Sequence, residues 1–373
     1  MSDLNQTWSF HLPVCAFPRD YSDIRFAVVN LASFVAFCGI VFNGILFKTF
    51  LYSLQTEPIS TILACLDATL CLCYMSLFGM EAWAHYLRIK FAYDAWFACG
   101  LYWFAISRAV QLAIPLMLIL TTLQRLAKLT DRLYIFWSVL HSKVGVKVAA
   151  TVLLVLSVLR AFPTITSVAV VSHANCTDYF GSKELWPTPL GRTSTYRRFE
   201  AVTTFVQVLS SFVLLLTLNS LIVGKLRNAR KSTQQEIIRL TDATDINAFV
   251  LDVVAEALRQ QLEQAALNER NAMLTMAVIV STHLVCNTLH LGLSAYETWR
   301  RDLIETSSQW HDLYTLACDI ISFLFMLCSA LRLPIYYKFN HKLRLELQIN
   351  ICCWRKSKPR QCHQWSEPST NLR

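Results

Sequence analysis

Seven stretches of this chain, residues 26–47, 59–80, 95–123, 148–171, 201–224, 272–296 and 313–337, are long and apolar enough to cross a bilayer. A helix needs roughly 20 mostly apolar residues to pass through about 30 Å of hydrocarbon. Lipid cannot hydrogen-bond a bare backbone, so spanning segments are helices or strands of a closed barrel, and runs this long without strict alternation exclude the barrel. The predicted fold class is an all-α membrane protein, a seven-transmembrane helix bundle. Charged residues make up only 16% of the chain, against about a quarter in soluble domains. The spans and their loops leave no room for a soluble enzyme, no catalytic constellation converges, and no enzyme is expected.

Orientation follows from where lysine and arginine accumulate, because short cytoplasmic loops hold the excess. With the N-terminus extracellular, twenty-one basic residues fall inside and ten outside, while Arg108, Arg160 and Arg332 lie within spans. The two glycosylation sequons, at Asn5 and Asn175, then both lie outside. The net charge of +9 reads as attraction to the inner leaflet and not to nucleic acid. No basic stretch followed by an apolar core opens the chain, so the first span is expected to be its own anchor. Three regions result: an extracellular tail over 1–24, a seven-helix domain over 25–350, and a cytoplasmic tail over 351–373.

Most of the thirteen cysteines sit in spans, where a thiol is a small apolar group. Cys99 and Cys176 lie on the oxidising face, where a disulfide between them would roof the bundle; the alternative is two unrelated thiols. Between the fifth and sixth spans, in the cytoplasmic loop 227–270, apolar residues from Ile246 to Leu262 recur at helical spacing. That pattern predicts a helix continuing from helix 6 or lying near the membrane. After the seventh span, Phe339, Leu343 and Leu347 predict an amphipathic helix over 338–350 on the inner leaflet. Cys352 and Cys353 follow it, as candidates for palmitoylation or as unmodified thiols.

Several polar groups stand where a bilayer penalises them. Asp67 lies mid-span, with Asn43 as its natural neighbour; Arg125 ends the third span after Gln124; Leu333-Pro334-Ile-Tyr-Tyr337 ends the seventh. Read without context, Asp67 pairs structurally with Asn43, and Arg125 is a snorkelling inner-face residue. His283 and His290 share a helix face, and without a third convergent ligand they read as core histidines, so no metal site is expected.

In these residues the chain resembles a rhodopsin-like G-protein-coupled receptor. The string Val285-Cys-Asn-Thr-Leu289, with Glu297 beyond it, is similar to invertebrate FMRFamide-type neuropeptide receptors. The resemblance implies that Asn43 and Asp67 match the family's sodium- or water-binding pair; a sodium ion near Asp67 would be the one inorganic component, and no cofactor is expected. It implies that Arg125 engages a heterotrimeric G protein, and that Pro334 and Tyr337 match the helix-7 switch. Departures are plain: Gln124, Leu126 and Leu333 replace the family's acid, tyrosine and asparagine, helices 5 and 6 lack their usual prolines, and Cys99 to Arg125 is one residue longer than the family register, which a bulge at Pro115 could absorb.

An opsin would need a lysine inside helix 7, and an amine receptor an acid where this chain has Arg108. An extracellular peptide is the better match, with Arg108, Gln111, Glu200, Glu297 and Asp319 expected near the outer half of the bundle. Glu297 and Asp319 would receive a cationic peptide; alternatively Arg108 pairs with Asp319 at rest, or receives an acidic ligand. The expected protein is a multi-pass plasma-membrane receptor in contact with membrane lipid. A chemosensory receptor for small odorants shares the architecture and is the rival reading, as is a seven-helix protein without G-protein coupling. A transporter would need matched broken helices, which the sequence lacks.

Overall fold

The computed structural model describes residues 22–52, 58–128, 142–173, 176, 178–243, 267, 271, 274–275, 277–293, 295–296, 308–339, 343–345 and 347. It forms a helical bundle: α1 (Asp23–Tyr52), α2 (Pro58–His85), α3 (Lys90–Lys128), α4 (Lys143–Ser167), α5 (Ser194–Ala243), α6 (Ala277–Leu293), α7 (Ser308–Ala330) and α8 (Arg332–Phe339). Among the described residues six helices are long and apolar enough to span a bilayer, and Ala277–Leu293 is a shorter apolar one. Large hydrophobic side chains such as Phe34, Phe37, Val155, Leu159 and Val206 face outward. Such a surface is stable where the solvent is lipid.

Within α1 the inward face is Val29, Ala32, Ala36, Gly39, Asn43, Leu46 and Phe50, alternating three- and four-residue steps. That 3.5-residue repeat keeps one seam facing its neighbours. The seam is mostly small, so α1 closes tightly on α2: a Cβ on Gly39 would meet the Cys71 sulfur at 2.7 Å. Small residues permit this close approach, which supplies van der Waals contact where lipid gives no hydrophobic drive.

A π-helical turn over Met75–Gly79 interrupts α2. Such a turn inserts one residue and re-aims the helix beyond it. Trp96 of α3 donates its indole N–H to the Leu77 carbonyl at 2.9 Å, and Gly79 packs against Ser33. By contrast α3 passes through Pro115 as α-helix, so the bulge expected there is absent.

The fourth span ends earlier than hydropathy suggests. Residues from Val168 leave the helix as β1 (Val168–Ser172), antiparallel to β2 (Lys183–Pro187), with Val170 opposite Leu185. A β-branched run is stiff at χ1 and suits a pleat when a partner strand is offered. At the other end, α5 runs 50 residues, about 75 Å at 1.5 Å per residue. The helical pattern expected from Ile246 to Leu262 lies outside the described residues. Leu343 and Leu347 are helical but buried in the main core with Tyr336, so the stripe predicted to rest on the inner leaflet faces protein instead.

Gly39→Ala is expected to destabilise the bundle by about 1–3 kcal/mol through overpacking, and Cys71→Ala in the same chain to recover most of it. Thermal unfolding of the detergent-solubilised single and double variants measures this; equal losses in both would mean that the two helices do not meet there.

Candidate functional site

A cavity of about 220 Å³ lies between α3, α4, α5, α6 and α7, reaching from Glu200 and Tyr314 near the outer helix ends down to Asp67 and Arg332. Its upper wall is charged. Arg160 of α4 meets Glu200 of α5 at 3.0 Å, and Arg108 and Gln111 of α3 stand on the same wall. Arg108 also lies over the Phe104 ring, 5.5 Å from its centre. Lower down, His283 and His290 both pack edge-on against Phe325, at 6.0 and 6.2 Å. His283 is buried, lines the cavity, and its Nε2 has no hydrogen-bond partner among the described residues.

The floor is a polar knot. Asp67 pairs with Arg332, and both are buried. Asn43 donates to the Gly39 carbonyl at 2.9 Å and to the Ser329 carbonyl and hydroxyl at 3.2 and 3.3 Å, while the Ser329 hydroxyl donates to the Asp67 backbone carbonyl at 3.4 Å. Asn43 and Asp67 therefore communicate through Ser329 of α7; the direct pairing expected from sequence is replaced by the ion pair. Among the described residues no cluster of three His, Cys, Asp or Glu side chains could hold a metal ion.

Arg332 reaches the floor on the inward helix face that also carries Met326, Ser329 and Tyr336. Leu331 is a turn residue, α8 starts at Arg332, and Pro334 in its first turn has no N–H to miss a partner. Tyr336 is buried edge-on against Phe50 with ring centres 5.5 Å apart, while Tyr337 is 44% exposed. At the inner end of α3, Gln124 is buried with no partner for its Oε1 among the described residues, and Arg125 beside it is half-buried.

Asp319 does not face this cavity. Its buried carboxylate accepts from Arg25 Nε of α1 at 2.9 Å, and the same guanidinium lies 3.7 Å from Glu81 of α2. The expected pairing of Asp319 with Arg108, or with a cationic ligand, is corrected: a cation from helix 1 takes it. Glu297, Asn5, Asn175, Cys352 and Cys353 lie outside the described residues. Arg25, Arg160 and Arg332 are the participants that motif reading missed. For Arg160 and Arg332 the signal was their place within spans, where an ionisable group needs a partner.

The predicted roof is also different. Cys99 is a free, exposed thiol, and Cys176 is disulfide-bonded to a cysteine outside the described residues. Helix geometry explains this: Tyr93 and Phe97 form the buried face under the hairpin, and Cys99 lies about 200° around the helix from Phe97. The hairpin is held instead by a polar clamp at the start of α3. The Lys183 N–H donates to the Tyr93 hydroxyl at 2.9 Å, the Lys183 ammonium to Asp94 at 2.8 Å, and the Tyr179 hydroxyl to Asp94 at 2.6 Å. The Asp94 carboxylate raises both the Lys183 and the Tyr179 pKa above their ordinary values.

No protein-family model matches this chain, and no curated protein does. Among solved structures it is similar to the crystal structure of squid rhodopsin, with a TM-score of 0.62 at 14% identity over 96% of this chain and 98% of that one. The likeness runs nearly end to end and shows the seven-helix rhodopsin fold, that of a multi-pass membrane protein.

Because the Lys183 pKa is raised by its partner, the clamp's contribution is whole below the ordinary lysine value of 10.5 and lost as pH climbs through the raised one. Limited proteolysis of the 178–187 segment is expected to accelerate only in that alkaline range, and at neutral pH in Asp94→Asn. Cleavage of the variant at the unaltered neutral rate would show that the clamp is not what holds the hairpin.

Proposed function

We propose that this protein is a plasma-membrane receptor that binds an extracellular peptide and signals to a heterotrimeric G protein. The observation that carries this reading is a cavity with charges of both signs, set inside a lipid-embedded bundle and floored by the Asp67–Arg332 junction of α2 and α8. A ligand that reaches such a floor can bind one helix arrangement better than another, and so shift their populations.

Cavity chemistry favours a charged peptide end over an apolar odorant. Arg108, Arg160 and Glu200 line the wall, and an apolar occupant would desolvate them without replacing the water's hydrogen bonds. A peptide terminus or side chain can enter between Arg160 and Glu200 and satisfy both. The string that resembles FMRFamide-type receptors contributes less, because Val285 and Leu289 face outward and Asn287 is its cavity-lining member. With Asp319 engaged by Arg25, Glu200 is the wall carboxylate that would receive a ligand cation, and Arg108 and Arg160 would receive an anion.

At the inner end, Gln124 stands in place of an acid beside Arg125, and its buried Oε1 has no hydrogen-bond partner among the described residues. With no acid at position 124, ligand-free signalling is expected.

Nucleotide exchange in membranes expressing the protein, screened against amidated and free-acid neuropeptides, tests the reading. Arg108→Gln and Glu200→Gln at equal surface expression are expected to cost about 2–5 kcal/mol of apparent affinity; full potency in both removes the cavity as the binding site. Without ligand, Gln124→Glu is expected to lower exchange and Arg125→Ala to abolish it. Unaltered exchange in Arg125→Ala would refute the coupling role.

A further inference from the structure

The resemblance noted in the sequence implies sodium or water beside Asp67, and the residues around that carboxylate do not fit a dissolved cation. The Arg332 guanidinium already lies against it, with both side chains buried. One carboxylate then faces one tethered cation, and the local charge is balanced. A second cation would add an uncompensated positive charge in a medium of low dielectric, which is far costlier there than in water. The neighbouring oxygens are committed as well: the Ser329 hydroxyl accepts from Asn43 and donates to the Asp67 carbonyl, and the Ser329 carbonyl accepts from Asn43. The Cys71 thiol also reaches the Ser329 hydroxyl, at 3.6 Å.

We infer that Arg332 is a built-in counter-ion that fills the intramembrane cation site at Asp67, and that the helix 2–helix 7 junction is therefore indifferent to dissolved sodium. A free ion can leave the site and let the helices move. A tethered one cannot leave without its backbone: any displacement of α8 from α2 carries the guanidinium away from the carboxylate and strands two charges in the bundle. The junction is a fixed two-point tie, with Arg332 held inward on the helix face that carries Ser329 and Tyr336.

The test is thermal unfolding of the purified full chain in sodium chloride against choline chloride at equal ionic strength, with sodium itself as the probe. The wild-type Tm is expected to be the same in both salts. Arg332→Leu opens the site, so its Tm is expected to rise with the logarithm of sodium concentration, as linkage to a native-state ligand requires; Asp67→Asn/Arg332→Leu is expected to lose that response. A wild-type Tm that climbs with sodium overturns the inference, as does an Arg332→Leu protein that ignores sodium. If Arg332→Leu does not fold, the double variant decides. A guanidinium stranded by Asp67→Asn predicts that adding Arg332→Leu raises the Tm of the Asp67→Asn chain, and no recovery overturns the assignment.

Discussion

A charge drawn into hydrocarbon must bring its opposite with it or remain out of the bundle, because desolvating an ion alone costs several kcal/mol. Three pairs meet that demand here: Arg25 with Asp319, Arg160 with Glu200, and Arg332 with Asp67. Each joins two different helices, α1 to α7, α4 to α5, and α8 to α2. Since a partner left behind is stranded, each pair also fixes the register of the helices it joins. The apolar core can tolerate small slides of one helix on another, whereas a buried ion pair cannot. The wall and the floor of the cavity are thus made from the same contacts that align the bundle.

The roof follows a different economy. At the outer surface water is available, and the hairpin is held by a shared network of Tyr93, Asp94, Tyr179 and Lys183 over a small aromatic cluster of Tyr93, Phe97 and Phe180. No single exposed bond there has the weight of a buried pair. Geometry is set by several modest contacts acting on one short element, with the covalent tie at Cys176 acting elsewhere than on α3.

The bundle was legible in the sequence because hydrocarbon thickness is a fixed ruler, and seven apolar runs matched it. The seam of α1 was legible too, since small residues at alternating three- and four-residue steps have one use between helices. Partner choice was not. Arg25 and Asp319 lie 294 residues apart, and nothing local in either marks the other. Asp67 was singled out correctly as a group that needs a partner, but Asn43 was nearer in pattern than Arg332. The cysteine assignment failed on a rotation: Cys99 has the right depth and the wrong helix face. Sequence spacing measures depth along a helix well, and says less about which face of the helix meets which neighbour.

The uninterrupted run of α5 from Ser194 to Ala243 makes it a lever as well as a span. Glu200, where the cavity wall meets Arg160, lies near one end, and the other end is about 65 Å away along the axis. A rigid rod of that length turns a tilt of about one degree at the cavity into a displacement of roughly 1 Å at its far tip. Rearrangements too small to disturb packing around the wall are thereby magnified at the far end of a helix that is continuous from Ser194 to Ala243.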